Sequence, residues 1–410
     1  MNVSPPARRE RILAMACISL SAACLVGGYE FVRSTAASLF MEAFGSGAMP
    51  YAMTVAPVLM FALIYAYGKV LSRLGPRRTL MTSLAFAACV LVLCHAALRT
   101  GAKSAVAVLY VFGEVYIVIL VEQFWAFINS SLESSEARAF NGPILGGASL
   151  GPILAGFLLK SLAVRLGSET FVLLSGLSLL PTAALAWAAY RLAGEPKPDE
   201  AEAREPSALH LGVIREHRIL LFIAALVTLS QVFSTVTNLR LYGLLEVEIP
   251  LKDARSAYLG SFWAWANGLA FAMQFAVTPL ILRRLPLRAT LLGIPAIHLL
   301  TAAFMLLHPS LGAAAFSLLV FKGIDYSAFR ASKELLYIPL PFDARYRAKQ
   351  VVDAFNYRCS KGVTAGLISL AKSLCGTLPA WAFPAAALAA AAAWLAAAVP
   401  LAREAEREKA

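Results

Sequence analysis

The sequence predicts an all-α polytopic membrane protein, with about twelve transmembrane helices in two six-helix halves. Three observations carry that expectation. Hydrophobic residues make up 59% of the 410 and charged residues only 15%, with a mean hydropathy of +0.70, more apolar surface than a soluble domain of this length can bury. Apolar segments long enough to cross a hydrocarbon core about 30 Å thick recur along the whole chain. Finally, Leu71-Ser72-Arg73-Leu74-Gly75-Pro76-Arg77-Arg78-Thr79-Leu80 is echoed 211 residues later by Leu282-Arg283-Arg284-Leu285-Pro286-Leu287-Arg288-Ala289-Thr290-Leu291. One unit is written twice.

Taken in order, the first half (residues 1–191) holds apolar runs near 12–32, 50–70, 79–98, 104–128, 142–163 and 170–191. A polar linker, 192–217, follows, with Pro196, Pro198 and Pro206 among mixed charges. The second half (218–410) holds runs near 218–240, 257–282, 289–308, 312–332, 350–373 and 379–400. The first run follows Arg8, Arg9 and Arg11 and precedes small residues at Ala36 and Ala37, as a signal peptide would, but it is longer than a signal core and the repeat needs it. In the fifth run, Gly146, Gly147, Gly151 and Gly156 form a seam suited to close helix contact.

The net charge of +12 does not point to a nucleic-acid polymer, because the cations sit in loops. Lys69, Arg73, Arg77 and Arg78 follow the second run, and Arg283, Arg284 and Arg288 follow the eighth. By the positive-inside rule these loops are cytoplasmic, which puts the linker and both termini on that side. The expected location is a bacterial inner membrane, with the protein monomeric. The six cysteines are scattered without ligand spacing, and no catalytic dyad or nucleotide-binding glycine loop is present, so neither an enzyme nor a cofactor is expected. His95, His298 and His308 read as helix-end residues.

Charges inside a bilayer are expensive and mark working surfaces. The first run carries Glu30 and Arg33, the fourth Glu114, Glu122, Gln123 and Asn129, and the tenth Lys322, Asp325 and Arg330. Glu122, Gln123, Trp125 and Asn129 offer a carboxylate, an amide and an aromatic plane on one helix, suited to a ligand with a stackable ring. Lys322 and Asp325, three apart, either face a ligand or neutralise each other. Arg33 ends the first run as Arg240 ends the seventh, and Trp125-Ala126-Phe127 matches Ser327-Ala328-Phe329. Tyr116, Trp263 and Trp265 read as packing aromatics.

A parallel duplication of six helices resembles the major facilitator superfamily, whose loop motif is echoed by Gly68, Ser72, Arg73, Gly75, Arg77 and Arg78. Ser72 stands where that motif has an acid, so Arg73 and Arg77 either gate or anchor the interface. The segment Tyr326-Ser327-Ala328-Phe329, then Lys333-Glu334-Leu335-Leu336-Tyr337-Ile338-Pro339-Leu340, then Lys349, Asp353, Arg358, Lys361 and Gly362, is similar to the ATP/ADP antiporter family of plastids and intracellular bacteria. Further matches are Tyr29 with Arg33, Gly45-Ser46-Gly47-Ala48 with Pro50, Phe124 through Asn129, and Glu136 with Arg138 and Phe140. The resemblance implies a small anionic, nucleotide-like substrate bound by Arg33, Glu122, Gln123, Trp125, Asn129, Arg240, Lys322, Asp325 and Arg330. Polyphosphates need such cations. Lys333, Glu334, Lys349, Asp353, Arg358 and Lys361 either close an inner gate by ion pairs or touch phosphate.

The departures are specific. Ala36 and Ala37 replace a lysine and an aspartate, Asp325 stands where a lysine is usual and Arg330 where an aspartate is usual, and the seventh run lacks its acid. The expected protein is therefore a divergent relative that moves nucleotides or another organic anion by exchange. The alternatives are a proton-coupled carrier of another solute, with Glu114 or Glu122 titrating, and a sensor that keeps the fold without transporting.

Overall fold

The computed structural model describes residues 8–131, 134–194, 218–337 and 356–407. Among these the chain forms twelve long helices and no strand, as lipid demands of any segment whose backbone groups must all be satisfied internally. α1 is Arg8–Phe44. α2 (49–74) and α3 (76–99) are continuous except at Gly75, whose φ of 74° turns the chain between them. α4 is Lys103–Ser131, α5 Ser134–Leu166 and α6 Ser168–Ala193.

After the linker come α7, Arg218–Glu248, and α8, Lys252–Arg284. α9 is Leu287–Leu307, α10 Leu311–Tyr337, α11 Tyr357–Cys375 and α12 Ala382–Arg407. The break between α8 and α9 falls at extended Leu285 and Pro286, the position of Gly75 in the duplicated sequence. Both copies of the basic motif thus end one helix and start the next. α11 is the most polar of the twelve, with Arg358, Lys361 and Lys372, yet its 19 residues reach about 28 Å at 1.5 Å each.

The chain folds as two compact units. Unit 1 comprises residues 1–45, 58–205 and 249–265, and unit 2 comprises 46–57, 206–248 and 266–410. The start of α8 therefore belongs with the first half's helices, and the start of α2 with the second half's. In unit 1, α1 packs against α4, α5 and α6. In unit 2, α7 packs against α10, α11 and α12. These three pairings of α1 recur for α7, shifted by six helices, so the duplication visible in the sequence is also one of packing.

The core of unit 1 centres on Phe31, Leu159 and Phe171, with the two phenylalanine rings edge to face at 5.2 Å. The glycine seam lets α5 approach its neighbours. A Cβ on Gly27 would meet the Gly151 carbonyl oxygen at 3.1 Å, and Gly151 itself lies on the Ala23 backbone of α1. In unit 2 the corresponding centre is His298 with Phe233, Phe321 and Trp394. His298 is mid-helix in α9 and fully buried, not at a helix end as the sequence suggested. The sequence offered no sign of the Trp394 indole that stacks on it.

α8 and α10 are both interrupted by a π-helical turn, Met273–Val277 and Asp325–Phe329, and the two turns touch within unit 2. Such turns insert one residue into the helical register and often occur at functional sites. The α10 turn coincides with the Tyr326-Ser327-Ala328-Phe329 motif.

Candidate functional site

Arg33 lies on α1, and the sequence placed it there among substrate ligands. Its guanidinium forms an ion pair with Glu30 one turn earlier, and Glu30 is fully buried. Ser34 adds a hydrogen bond to the other carboxylate oxygen at 3.1 Å. On its far side the Arg33 guanidinium carbon sits 3.7 Å from the ring centroid of Trp263 on α8 and 5.5 Å from that of Tyr29. Tyr29 in turn meets Tyr116 of α4 edge to face at 6.1 Å, and Tyr116 stacks on Phe112 at 5.1 Å. A half-buried cation thus meets the Glu30 carboxylate and two aromatic faces, with each cation–π contact contributing up to about 2 kcal/mol when desolvated. Trp263 is the partner that sequence reading missed. Nothing in the spacing of a tryptophan on α8 reveals that it reaches an arginine 230 residues earlier.

The α4 group divides. Glu122 is exposed and Trp125 half-buried on one face. Gln123 is buried on another, where its amide donates to Ser83 on α3 at 3.1 Å. One residue along a helix turns the side chain by about 100°, so Gln123 cannot share the Glu122–Trp125 face. The side chains of Asn129, Glu136, Arg138 and Phe140 lie outside the described residues.

In unit 2, Lys322 and Asp325 are both buried, at 7% and 8% exposure. The ammonium of Lys322 donates to Ser234 on α7 at 3.2 Å and lies 5.2 and 5.3 Å from the Phe321 and Tyr326 rings. Among the described residues no ion pair within 4 Å joins Lys322 to Asp325, where the π turn begins. Arg330, exposed beyond that turn, does not join them. Arg240 is half-buried on α7. Near it in sequence the side-chain oxygens of Thr235, Thr237 and Asn238 are buried without a hydrogen-bond partner. Each such group costs about 1–3 kcal/mol unless water or a ligand meets it. α7 thereby presents polar capacity that its own packing leaves unused.

Of the gating set, Lys333 and Glu334 are half-buried on α10, and Arg358 and Lys361 half-buried on α11. Arg73 is exposed and Arg77 half-buried beside Gly75. Lys349 and Asp353 lie outside the described residues. A different lock is visible where α11 starts. Asn356 donates to the Ala224 carbonyl oxygen at 2.8 Å and accepts from Thr228 at 3.1 Å, while Ser360 donates to Thr228 at 3.1 Å.

A second set of contacts has no precedent in the sequence reading. At the end of unit 1 remote from the basic loop, the start of α8 is clasped by first-half helices. Arg255, 2% exposed, pairs with Glu42 of α1, and Lys252 pairs with Glu169 of α6. Asp253 accepts from the Ser168 backbone N–H at 2.8 Å and its hydroxyl at 2.6 Å. A Cβ on Gly156 of α5 would lie 2.5 Å from the Gly260 carbonyl oxygen. The start of α2 is held likewise in unit 2. Glu246 of α7 accepts from the Ser46 N–H at 2.8 Å, Lys372 of α11 donates to the Gly47 carbonyl at 3.0 Å, and Pro57 fills the space beside Gly362.

Twelve helices packed as two matching sets, eleven of them apolar enough to cross a bilayer, give a multi-pass membrane protein of the major-facilitator-type fold. In sequence the chain is similar to "ADP,ATP carrier protein 1" of Chlamydia muridarum (strain MoPn / Nigg), 24% identical over 437 aligned positions that cover 87% of this chain and 82% of that one. The resemblance drawn from the α10–α11 motif thus extends along most of the chain. No protein-family model matches it. The same fold is seen in a bacterial homologue of the iron transporter ferroportin (TM-score 0.66, 15% identity, covering 96% of this chain and 98% of that one). It recurs in the transporter PepTSo (0.65, 14%, 99% of each chain) and in the nucleoside transporter NupG (0.60, 14%, 97% and 98%).

Proposed function

We propose that the protein exchanges nucleotides, or organic anions of related chemistry, across a bacterial inner membrane by alternating access. The observation that carries this reading is the half-buried guanidinium of Arg33 within the apolar span of α1, ion-paired with the fully buried Glu30 and stacked on Trp263. Substrate phosphate competes with Glu30 for Arg33, while Lys322 and Arg240 supply the remaining positive charge. Glu122, Gln123, Trp125, Asn129, Asp325 and Arg330 complete the proposed site, with Trp125 and Asn129 contacting the base. The similarity to a protein named as an ADP,ATP carrier supports a nucleotide. The altered charges at Ala36, Ala37, Asp325 and Arg330 leave room for another organic anion.

In this reading residues 1–191 and 218–410 rock as a monomer about the site, joined by the cytoplasmic linker 192–217. Lys333, Glu334, Lys349, Asp353, Arg358 and Lys361, with Arg73 and Arg77, act at the cytoplasmic end. The clasp of Arg255 with Glu42 and of Lys252 with Glu169 acts at the opposite end. Because Trp263 belongs to the same α8 segment as Arg255, displacing Glu30 from Arg33 also disturbs the stacking that steadies the clasp. Binding at mid-membrane is thereby linked to opening outside.

The test is uptake of labelled ATP into liposomes bearing the purified protein, with and without ADP inside. Uptake that requires internal ADP and disappears in Arg33→Ala is the expected result. Uptake indifferent to any internal or external nucleotide, together with no thermal stabilisation by a nucleotide panel, would sink the nucleotide reading.

A further inference from the structure

Asp325 is the single buried acid among the described residues of unit 2, and it sits where the π turn of α10 begins. Lys322, also buried, stands three residues earlier on the same helix, a spacing at which opposite charges ordinarily pair. They do not pair here. The Lys322 ammonium donates instead to a neutral acceptor, the Ser234 hydroxyl of α7, at 3.2 Å. Among the described residues no hydrogen bond or ion pair reaches the Asp325 carboxyl. An ionised carboxylate withdrawn from water and left unpaired costs several kcal/mol. A proton on the carboxyl removes that cost and leaves the charge of Lys322 without a fixed counter-ion.

The elements around the pair hold no second acid. On α10 the cations in electrostatic reach of Asp325 are Lys322, Arg330 and Lys333. The π turn of α8 that touches the α10 turn brings Gln274 and no charge. On α7, Ser234 and Phe233 face the pair, and the next charge along the helix is Arg240. On α9 the titratable group is His298, whose ring lies 5.2 Å from that of Phe321; the Lys322 ammonium lies 5.2 Å from the same ring. On α12, Trp394 stacks on His298, and residues 382–402 carry no charge. Only Asp325 can neutralise Lys322 from within this unit's core.

We propose that Asp325 is a proton switch on Lys322: while Asp325 holds a proton, the Lys322 ammonium is available to the substrate anion, and when the proton leaves, the Asp325 carboxylate takes the ammonium and the anion is released. The switch rests on the reading in which Lys322 meets the substrate. A lysine suits it, being a point charge on a flexible four-carbon stem that can turn from Ser234 to Asp325. Proton and anion then favour each other's binding, and the coupling is reciprocal. The carrier moves its anion together with a proton.

The experiment uses the full-length protein purified in mild detergent. Infrared difference spectra, recorded through a pH titration without nucleotide, follow the carboxylic C=O stretch. Wild type is expected to show a buried carboxylic acid that loses its proton as pH rises, and Asp325→Asn removes that band. Lys322→Gln removes the cation that favours the carboxylate, so the acid keeps its proton to higher pH and the midpoint moves up. Binding of ATP is then measured by calorimetry across the same range. In wild type the affinity is expected to fall about tenfold for each pH unit above the midpoint, beyond any slope seen in Asp325→Asn, which carries the protonation of ATP alone. Asp325→Ser, equally unable to ionise, replaces Asp325→Asn should that variant not accumulate. A titrating band that survives in these variants, a midpoint unmoved by Lys322→Gln, or equal pH slopes for ATP in wild type and Asp325→Asn would overturn the proposal. If no variant and no wild-type sample binds ATP, the nucleotide reading fails, and the infrared midpoints alone decide the switch.

Discussion

At the scale of single residues, Glu30 and Arg33 set how substitutions in the site must be read. Removing one member of a buried ion pair strands the other, at about 3–5 kcal/mol. Arg33→Ala is therefore expected to lower thermal stability as well as abolish uptake, since Glu30 stays fully buried. The double variant Glu30→Gln with Arg33→Ala should recover most of that stability without recovering uptake. Unfolding measured across the cycle separates the two effects, because a purely structural role predicts that both recover together. Trp263→Leu keeps the ion pair but removes the aromatic face at 3.7 Å, and is expected to weaken substrate binding while leaving expression intact. For coupling, Glu122 faces outward from α4. If a proton gradient drives transport through it, Glu122→Gln abolishes gradient-driven uptake and spares exchange; an unaltered response to the gradient would exclude that role.

At the scale of elements, the clasp on α8 distributes its burden unevenly. Arg255 is buried and Glu42 more than half exposed. Glu42→Ala, which leaves a buried guanidinium unpaired, should destabilise the protein more than Arg255→Met, which leaves a carboxylate free to solvate. Thermal unfolding of the two variants checks the order. Gly156→Leu drives a side chain into the Gly260 backbone; because Ser38 of α1 is fully buried where its hydroxyl donates to the Lys252 carbonyl of α8, this variant is expected to raise maleimide labelling of Ser38→Cys in a cysteine-free background. Helix existence, the glycine seam and the repeat were legible in the sequence because lipid imposes length and apolarity on every span. The clasp was not, because Arg255, Glu42, Lys252 and Glu169 look like ordinary helix-end charges and meet only through tertiary packing. The split of Gln123 from Glu122 follows from helical geometry alone and was missed by reading proximity in sequence as proximity on a face. The π turn at Asp325 left no signature either, since it is one inserted residue in the helix.

At the scale of the whole molecule, an even number of crossings forces both ends of the chain to one side of the membrane. The loops then alternate. With the twelve crossings that the sequence predicts, Gly75 and the Leu285–Pro286 break are expected on the side of the termini, with the concentrated Lys and Arg. The turns at Gly45, Gly101, Gly167 and Gly376 are expected on the other side, and at each of these a positive φ ends a helix abruptly. Of the clasp residues, Glu42, Ser46, Ser168, Glu169 and Lys372 fall within a few residues of these turns, and Glu246 and Lys252 flank the α7–α8 turn at 249–251. The basic loops should therefore be cytoplasmic and the clasps external. Cysteines placed singly at exposed Ser72, Thr100 and Thr377 report this arrangement. In intact cells an impermeant maleimide should label Thr100→Cys and Thr377→Cys but not Ser72→Cys, and permeabilisation should expose the last. Labelling of Ser72→Cys from outside would invert the topology and exchange the two proposed gates. If only one of Thr100→Cys and Thr377→Cys were labelled, the number of crossings between them would be odd, and the twelve-helix count would fail at α11, the helix whose polarity makes it the weakest span.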